Sequence, residues 1–151
     1  GMVLRGLGDG NFQPLRVDQS GFLLPGDAKA LALADLNGDA RPDLVATVNS
    51  SAPKIFLNQV AKGFPLVVRL AGPKGNANGV GSRVTLHLKS GKILVSEVHS
   101  GSSYLTGNPP DLFFVVPEGD EAKEVSVRSP LGKVLKQAIP LLRSVITLRL
   151  N

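Results

Sequence analysis

Apolar residues along this chain recur in short alternating or continuous runs, and helical spacing is weak almost throughout, so the elements it predicts are strands. The runs fall at residues 30–34, 44–48, 54–57, 66–70, 83–89, 92–99, 112–116, 124–128, 134–138 and 145–150. Turn-forming stretches separate them, among them Asn49-Ser50-Ser51-Ala52-Pro53, Ser90-Gly91 and Ser129-Pro130-Leu131-Gly132. Pro130 occupies the second position of its turn, where a fixed φ near −65° is favoured. The pattern is that of an all-β protein.

One hairpin can be put in register from the pattern. With Ser90 and Gly91 as a two-residue turn, Leu88 faces Ile93, His87 faces Leu94, Leu86 faces Val95 and Glu97 lies opposite Val84, close to Arg83. Alternation then predicts Val84, Leu86, Leu88, Ile93 and Val95 on one apolar face. Thr85, His87, Lys89, Lys92 and Ser96 take the other. In this register the two histidines, His87 and His99, point to opposite faces on the order of 16 Å apart, which excludes a shared metal unless a bulge intervenes.

Composition refines this picture. Aromatic residues make up 5% of the chain and Trp is absent, so the core must be built from Val, Leu, Ile and Ala. There is no Cys, which removes disulfides, thiolate metal sites and a Cys nucleophile. No stretch approaches the roughly 18 apolar residues of a membrane helix, so no membrane span is expected. Gly1-Met2 reads as a tag scar and a start residue, with no signal-peptide pattern after it. Charge and glycine content both shift near Asn58-Gln59-Val60-Ala61-Lys62-Gly63, where a boundary between segments 1–60 and 64–151 is expected. The first 60 residues hold five Lys/Arg against six Asp/Glu, and the remainder twelve against six. Those cations are scattered singly along strands without aromatic stacking partners, a pattern of solvated strand faces rather than a nucleic-acid footprint.

The densest chemistry lies in Ala34-Asp35-Leu36-Asn37-Gly38-Asp39-Ala40-Arg41-Pro42-Asp43-Leu44. Asp35, Asn37 and Asp39 alternate, Asp43 follows, Gly38 allows a sharp bend, and the Arg41 carbonyl can fill the gap. Three crowded carboxylates repel one another unless neutralised. Oxygen-only ligands suit Ca2+, whereas zinc prefers His or Cys. An EF-hand needs a bidentate acid at its twelfth position, which here is Ala46, and helical flanks, which here read as strands. A solvated Asp/Asn turn is the alternative.

This loop and the upstream Gly6-Leu7-Gly8-Asp9-Gly10-Asn11-Phe12 together resemble an FG-GAP or VCBS repeat, the four-stranded blade of integrin-α-like β-propellers. The resemblance implies Asp35, Asn37, Asp39 and Asp43 as calcium ligands, with the Arg41 carbonyl. Only one repeat is present, and a propeller closes with about four to eight blades. A lone blade must therefore pack on the second segment or on another chain, including a homo-oligomer covering the open blade.

Residues 66 to about 150 resemble the ASPIC/UnbV domain of cartilage-acidic-protein-like and many bacterial exported proteins. The similarity rests on Asn76-Ala77-Asn78-Gly79-Val80-Gly81-Ser82-Arg83-Val84, on the stretch from Ser96 through Tyr104 to Leu105, and on Val125-Ser126-Val127-Arg128-Ser129-Pro130-Leu131-Gly132-Lys133. A Trp-Pro-Ser-Gly-like family turn is here Arg128-Ser129-Pro130-Leu131-Gly132, and a Phe-Gly-Leu-Gly-like stretch is Leu112-Phe113-Phe114-Val115-Val116. The resemblance implies one propeller-type blade packed with a β-sandwich or barrel-like domain. It also implies an extracellular, periplasmic or cell-surface setting.

A polar rim of Asn76, Asn78, Ser82, Arg83, Glu97, Ser102, Ser103 and Tyr104 is a candidate glycan- or peptide-binding site, with an internal network bracing the loops as the alternative. The glycine-rich 72–83 stretch lacks a Gly-Lys-Ser/Thr ending and opens onto a strand, so it is no phosphate cradle. No serine sits in a nucleophile-elbow sequence, and Glu118, Asp120, Glu121 and Glu124 read as a solvated loop. The expected function is a non-catalytic, calcium-stabilised binding or adhesion module with a protein or glycan partner. The alternative is an accessory domain of an exported carbohydrate-active or other hydrolytic enzyme.

Overall fold

The computed structural model of the chain describes residues 1–59, 62–101, 103–140 and 143–150. The described residues form strands β1 (Val3–Gly6) and β2 (Phe12–Leu15), a single-turn helix α1 (Val17–Ser20), and strands β3 (Ala28–Ala34), β4 (Asp43–Val48) and β5 (Lys54–Phe56). The second part comprises β6 (Phe64–Ala71), β7 (Arg83–Leu88), β8 (Ile93–Glu97), β9 (Leu112–Val116), β10 (Ala122–Arg128), β11 (Val134–Ala138) and β12 (Val145–Arg149). The all-β expectation holds. The expected boundary at 58–63 falls partly on residues 60 and 61, outside the described residues.

Two sheets pack face to face in the second part, one in the order β11-β10-β7-β8 and the other β12-β6-β9. Val84, Leu86, Val125 and Val127 from the first sheet meet Leu66, Val68 and Leu148 from the second, none more than 1% exposed. Each such side chain contributes roughly 1.5–3 kcal/mol by leaving water. Aliphatic side chains dominate this core, and Phe114 is its one aromatic among the described residues. Strand β12 joins β6 in parallel, Val145 opposite Val67, while β9 pairs with β6 antiparallel.

The first part has its own small cluster of Phe22, Leu24 and Ala46. The Phe22 and Phe56 rings pack 4.8 Å apart at 47°. Its sheet is a three-stranded meander, β3-β4-β5, and β1-β2 form a separate hairpin, where four strands of one blade were expected. Sequence pattern did not reveal β1 and β2 because nearly all their residues are exposed and carry no alternation that burial would impose.

The β7–β8 register differs by one residue from the expectation. Leu86 faces Leu94, Thr85 faces Val95, His87 faces Ile93, and Glu97 faces Arg83 rather than Val84. The cause is the turn. Leu88 N–H donates to the Lys92 carbonyl at 2.9 Å, so three residues, not two, form the loop. Gly91 closes it at φ 87°, the left-handed position of a three-residue hairpin loop with a bulge. A one-residue slip inverts a strand. Leu94 therefore packs on the core, while Ile93 and Val95 lie on the outer face, 57% and 43% exposed.

This register makes opposite demands on two leucine-sized side chains. Leu86→Ala is expected to cost about 2–5 kcal/mol in denaturant unfolding, and Ile93→Ala less than about 1 kcal/mol. Equal losses would restore the two-residue turn.

Candidate functional site

The acidic loop spans residues 35–42, between Ala34 and Asp43, which pair across β3 and β4. Short polar side chains here fold the backbone onto themselves. Asp35 accepts from three successive backbone N–H groups: Gly38 at 2.8 Å and Asp39 at 3.1 Å on Oδ1, and Ala40 at 2.9 Å on Oδ2. Asp39 N–H also reaches Asn37 Oδ1 at 3.2 Å, and Asn37 Nδ2 donates to Asp39 Oδ2 at 3.1 Å. Asp39 Oδ1 accepts the Arg41 N–H at 2.9 Å, and its Oδ2 lies 3.5 Å from the Arg41 guanidinium. The Arg41 backbone N–H, ahead of the Asn37 amide and the Arg41 charge, holds the Asp39 carboxyl below the usual aspartate range. Ala40 takes φ 65°, a left-handed conformation that costs a non-glycine residue roughly 1–2 kcal/mol. That strain is held in place by its bond to Asp35.

Asp43 behaves differently. It is fully buried, and its oxygens accept from Leu36 N–H at 2.9 Å and Asn58 N–H at 2.8 Å. It thus ties the loop entrance to the chain just beyond β5. Asp35, Asn37 and Asp39 form one hydrogen-bonded set, with Asp43 as the anchor beside it. Among the described residues, no three His, Cys, Asp or Glu side chains gather at metal-holding spacing. The donor chemistry is all oxygen, as a hard cation requires, and a carboxylate has about four acceptor positions, of which Asp35 uses three.

The loop lies near the second part. Arg69 on β6 makes paired bonds to Asp111 at 2.9 and 2.8 Å, and its guanidinium is raised by Asp111 first and by the Asp35 charge as well. Strand β3 is an edge, and residues beyond β8 cover it: Thr106 Oγ1 donates to the Leu31 carbonyl at 2.8 Å, and Leu33 N–H donates to Asn108 Oδ1 at 2.9 Å. Such bonds keep a strand edge from pairing elsewhere.

The expected polar rim divides. Asn76 braces its own loop, accepting from Val80 N–H at 2.8 Å and donating to the Val80 carbonyl at 3.0 Å. Asn78 is exposed, and Tyr104 stands almost wholly in solvent. Arg83 and Glu97 face each other on the outer sheet surface. Ser103 lies beside Gly1 and Phe22 instead, and Ser102 is outside the described residues. Only Asn76 and Ser82 share a cavity, of about 490 Å³, with the 129–135 turn and Arg149. The acidic stretch expected as a solvated loop is pinned instead, since Asp120 accepts from Ser90 Oγ and Ser90 N–H and Glu121 pairs with Lys89 at 2.7 Å, and its last member, Glu124, lies within strand β10.

A pairing invisible in the sequence joins His87 Nε2 to Ser126 Oγ at 2.9 Å, across β7 and β10, with Glu124 opposite His87. The cross-strand register alone makes these residues neighbours. Both strands are interior to their sheet, so their backbone N–H groups are engaged mainly in the ladders on either side rather than directed at an oxyanion.

The family model described as ASPIC and UnbV matches residues 72–148 of this chain, leaving the acidic loop outside the match. No curated protein matches the chain. Among the described residues no helix is long and apolar enough to cross a membrane.

Two outcomes follow for the loop. Asp43→Ala strands two backbone N–H groups and is expected to cost about 2–4 kcal/mol in urea unfolding. Asp39 has a depressed carboxyl, so its stabilising contribution is complete above the unfolded-state range near 3.8 and is lost as pH falls through the lower folded value. The stability gap between wild type and Asp39→Ala is therefore expected to be constant near neutrality and to shrink below about pH 4. A gap unchanged down to pH 2 would contradict that assignment.

Proposed function

The chain belongs to the ASPIC and UnbV family, and from that premise we propose that it is a non-catalytic binding module acting outside the cytoplasm, stabilised by Ca2+. In this reading residues 1–60 are a single FG-GAP/VCBS-type repeat and residues 64–151 the family's β domain. The observation that carries it is the loop between β3 and β4. It concentrates Asp35, Asn37, Asp39 and Asp43 in nine positions, and Arg41 is the one cation within it.

Calcium would neutralise this excess of negative charge and cross-link the loop through flexible oxygen coordination. Asp35, Asn37 and Asp39 would hold it with the Arg41 carbonyl, and Asp43 would complete the set from its buried position. Binding requires the Asn37–Asp39 and Arg41–Asp39 contacts to loosen, which predicts a modest affinity. Sites of Kd about 10⁻⁴–10⁻³ M are filled where free calcium is plentiful, as outside cells. The exposed apolar side chains of the first part, including Phe12, Ile55 and Leu57, favour a covering partner, either another protein or a second copy of this chain.

A hydrolase reading draws on the Ser126–His87 pair. It is the weaker one, because the pair lies on an open sheet face without oxyanion donors.

Calorimetric titration of calcium, with thermal melts at each concentration, tests the proposal. Saturable binding that raises Tm and is lost in Asp39→Ala is the expected result. No heat and no Tm shift at millimolar calcium would leave the loop as a hydrogen-bonded turn and remove calcium from the function.

A further inference from the structure

A cavity of about 490 Å³ opens between the 72–82 loop, the turn from β10 to β11 and the end of β12. That volume lies within the range of about 300–1,000 Å³ typical of small-molecule sites. It belongs to the second part and does not involve the acidic loop.

Two features of its wall point to a ligand. The first is Ser82, which is fully buried while its Oγ has no hydrogen-bond partner among the described residues. Buried hydroxyls are nearly always matched, and an unmatched one lining a cavity is a donor awaiting an acceptor. Asn76, which lines the same cavity, holds Val80 through both atoms of its amide and makes no bond to Ser82. The second is charge. Arg149, at an exposed position, is a cation among the described lining residues, and none of them is a carboxylate. The rest of the wall is mainly apolar: Pro73, Pro130, Leu131, Val134, Leu135 and Leu150. Leu131 is 97% exposed, an apolar side chain free to close over a bound molecule.

We propose that this cavity binds a small carboxylate with an apolar body. The body lies against Pro130, Leu135 and Leu150, a carboxylate oxygen accepts a hydrogen bond from the Ser82 hydroxyl, and Arg149 meets its charge. The turn that carries Pro130 and Leu131 is held by Ser129 N–H donating to the Lys133 carbonyl at 2.8 Å, so that wall exists before a ligand arrives. A preformed wall spares the ordering cost of binding.

The test is an NMR titration of the isotope-labelled full chain with sodium decanoate, alongside acetate, which lacks the body, and decan-1-ol, which lacks the charge. Saturable amide shifts confined to residues 73–82, 129–135 and 149–150, with Kd below about 1 mM, are expected. Acetate and decan-1-ol are each expected to bind at least about tenfold more weakly. Arg149→Gln, at an exposed position, is expected to weaken decanoate binding about three- to tenfold. Ser82→Ala removes an unmatched hydroxyl, so it is expected to weaken binding by a similar factor while Tm holds or rises. Shifts scattered over the exposed apolar surface, or decan-1-ol binding as tightly as decanoate, would overturn the proposal. So would unchanged affinity in both variants. A peptide ending in leucine that displaces decanoate with at least about tenfold higher affinity would reassign the cavity to protein termini.

Discussion

Strand β6 is shut off from water along its core face and, at Val67, on the opposite face as well. Leu66, Val68 and Leu70 enter the sandwich core, while Val67 on the opposite face is only 1% exposed. A strand buried on one face and at one position of the other needs cover from two directions. The core side is closed by the β11-β10-β7-β8 sheet. On the outer side, Arg41 and Asn58 share a small cavity with Pro65 and Val115, and Arg69 lies within reach of the Asp35 charge. The acidic loop is therefore placed by the sandwich as well as by its own strands.

That placement explains why the loop carries so many internal bonds. Where the loop is part-buried, at Asp39, Ala40 and Arg41, its backbone N–H groups need partners, and the aspartates supply acceptors where no ladder exists. Asp43 is the clearest case, a fully buried carboxylate whose two oxygens each hold a backbone group. The same oxygens that satisfy the backbone are the ones a cation would recruit, so structural and ligand-binding roles compete for the same atoms.

Much of this was legible in the sequence. Alternation marked all seven strands of the sandwich, and the scarcity of aromatics correctly implied a mainly aliphatic core. The β7–β8 slip was not legible, because Ser90-Gly91 fits a two-residue turn as readily as the end of a three-residue one. The bonds from Asp120 to Ser90, made from a distant loop, fix that turn from outside its own sequence. For the candidate sites the limits are similar. Sequence grouped Asp35 to Asp43 by spacing but could not show which backbone groups they hold. It placed Asn76 and Ser82 in one rim without Pro130 or Arg149, since three distant segments meet only in the folded cavity. The Ser126–His87 contact likewise depends on which strands become neighbours.

The parallel pairing of β12 with β6 bears on how the chain acquires its shape. Val145 must find Val67, with β7 to β11 already threaded between them. As the protein is synthesised, β6 emerges with one edge and part of one face unclaimed until residue 149 follows. Contacts so distant along the chain are slow to form, and an open apolar edge in the interval can pair with a neighbouring copy. The sandwich is thus sealed by β12, and the newly made chain is most vulnerable to association before that strand has emerged.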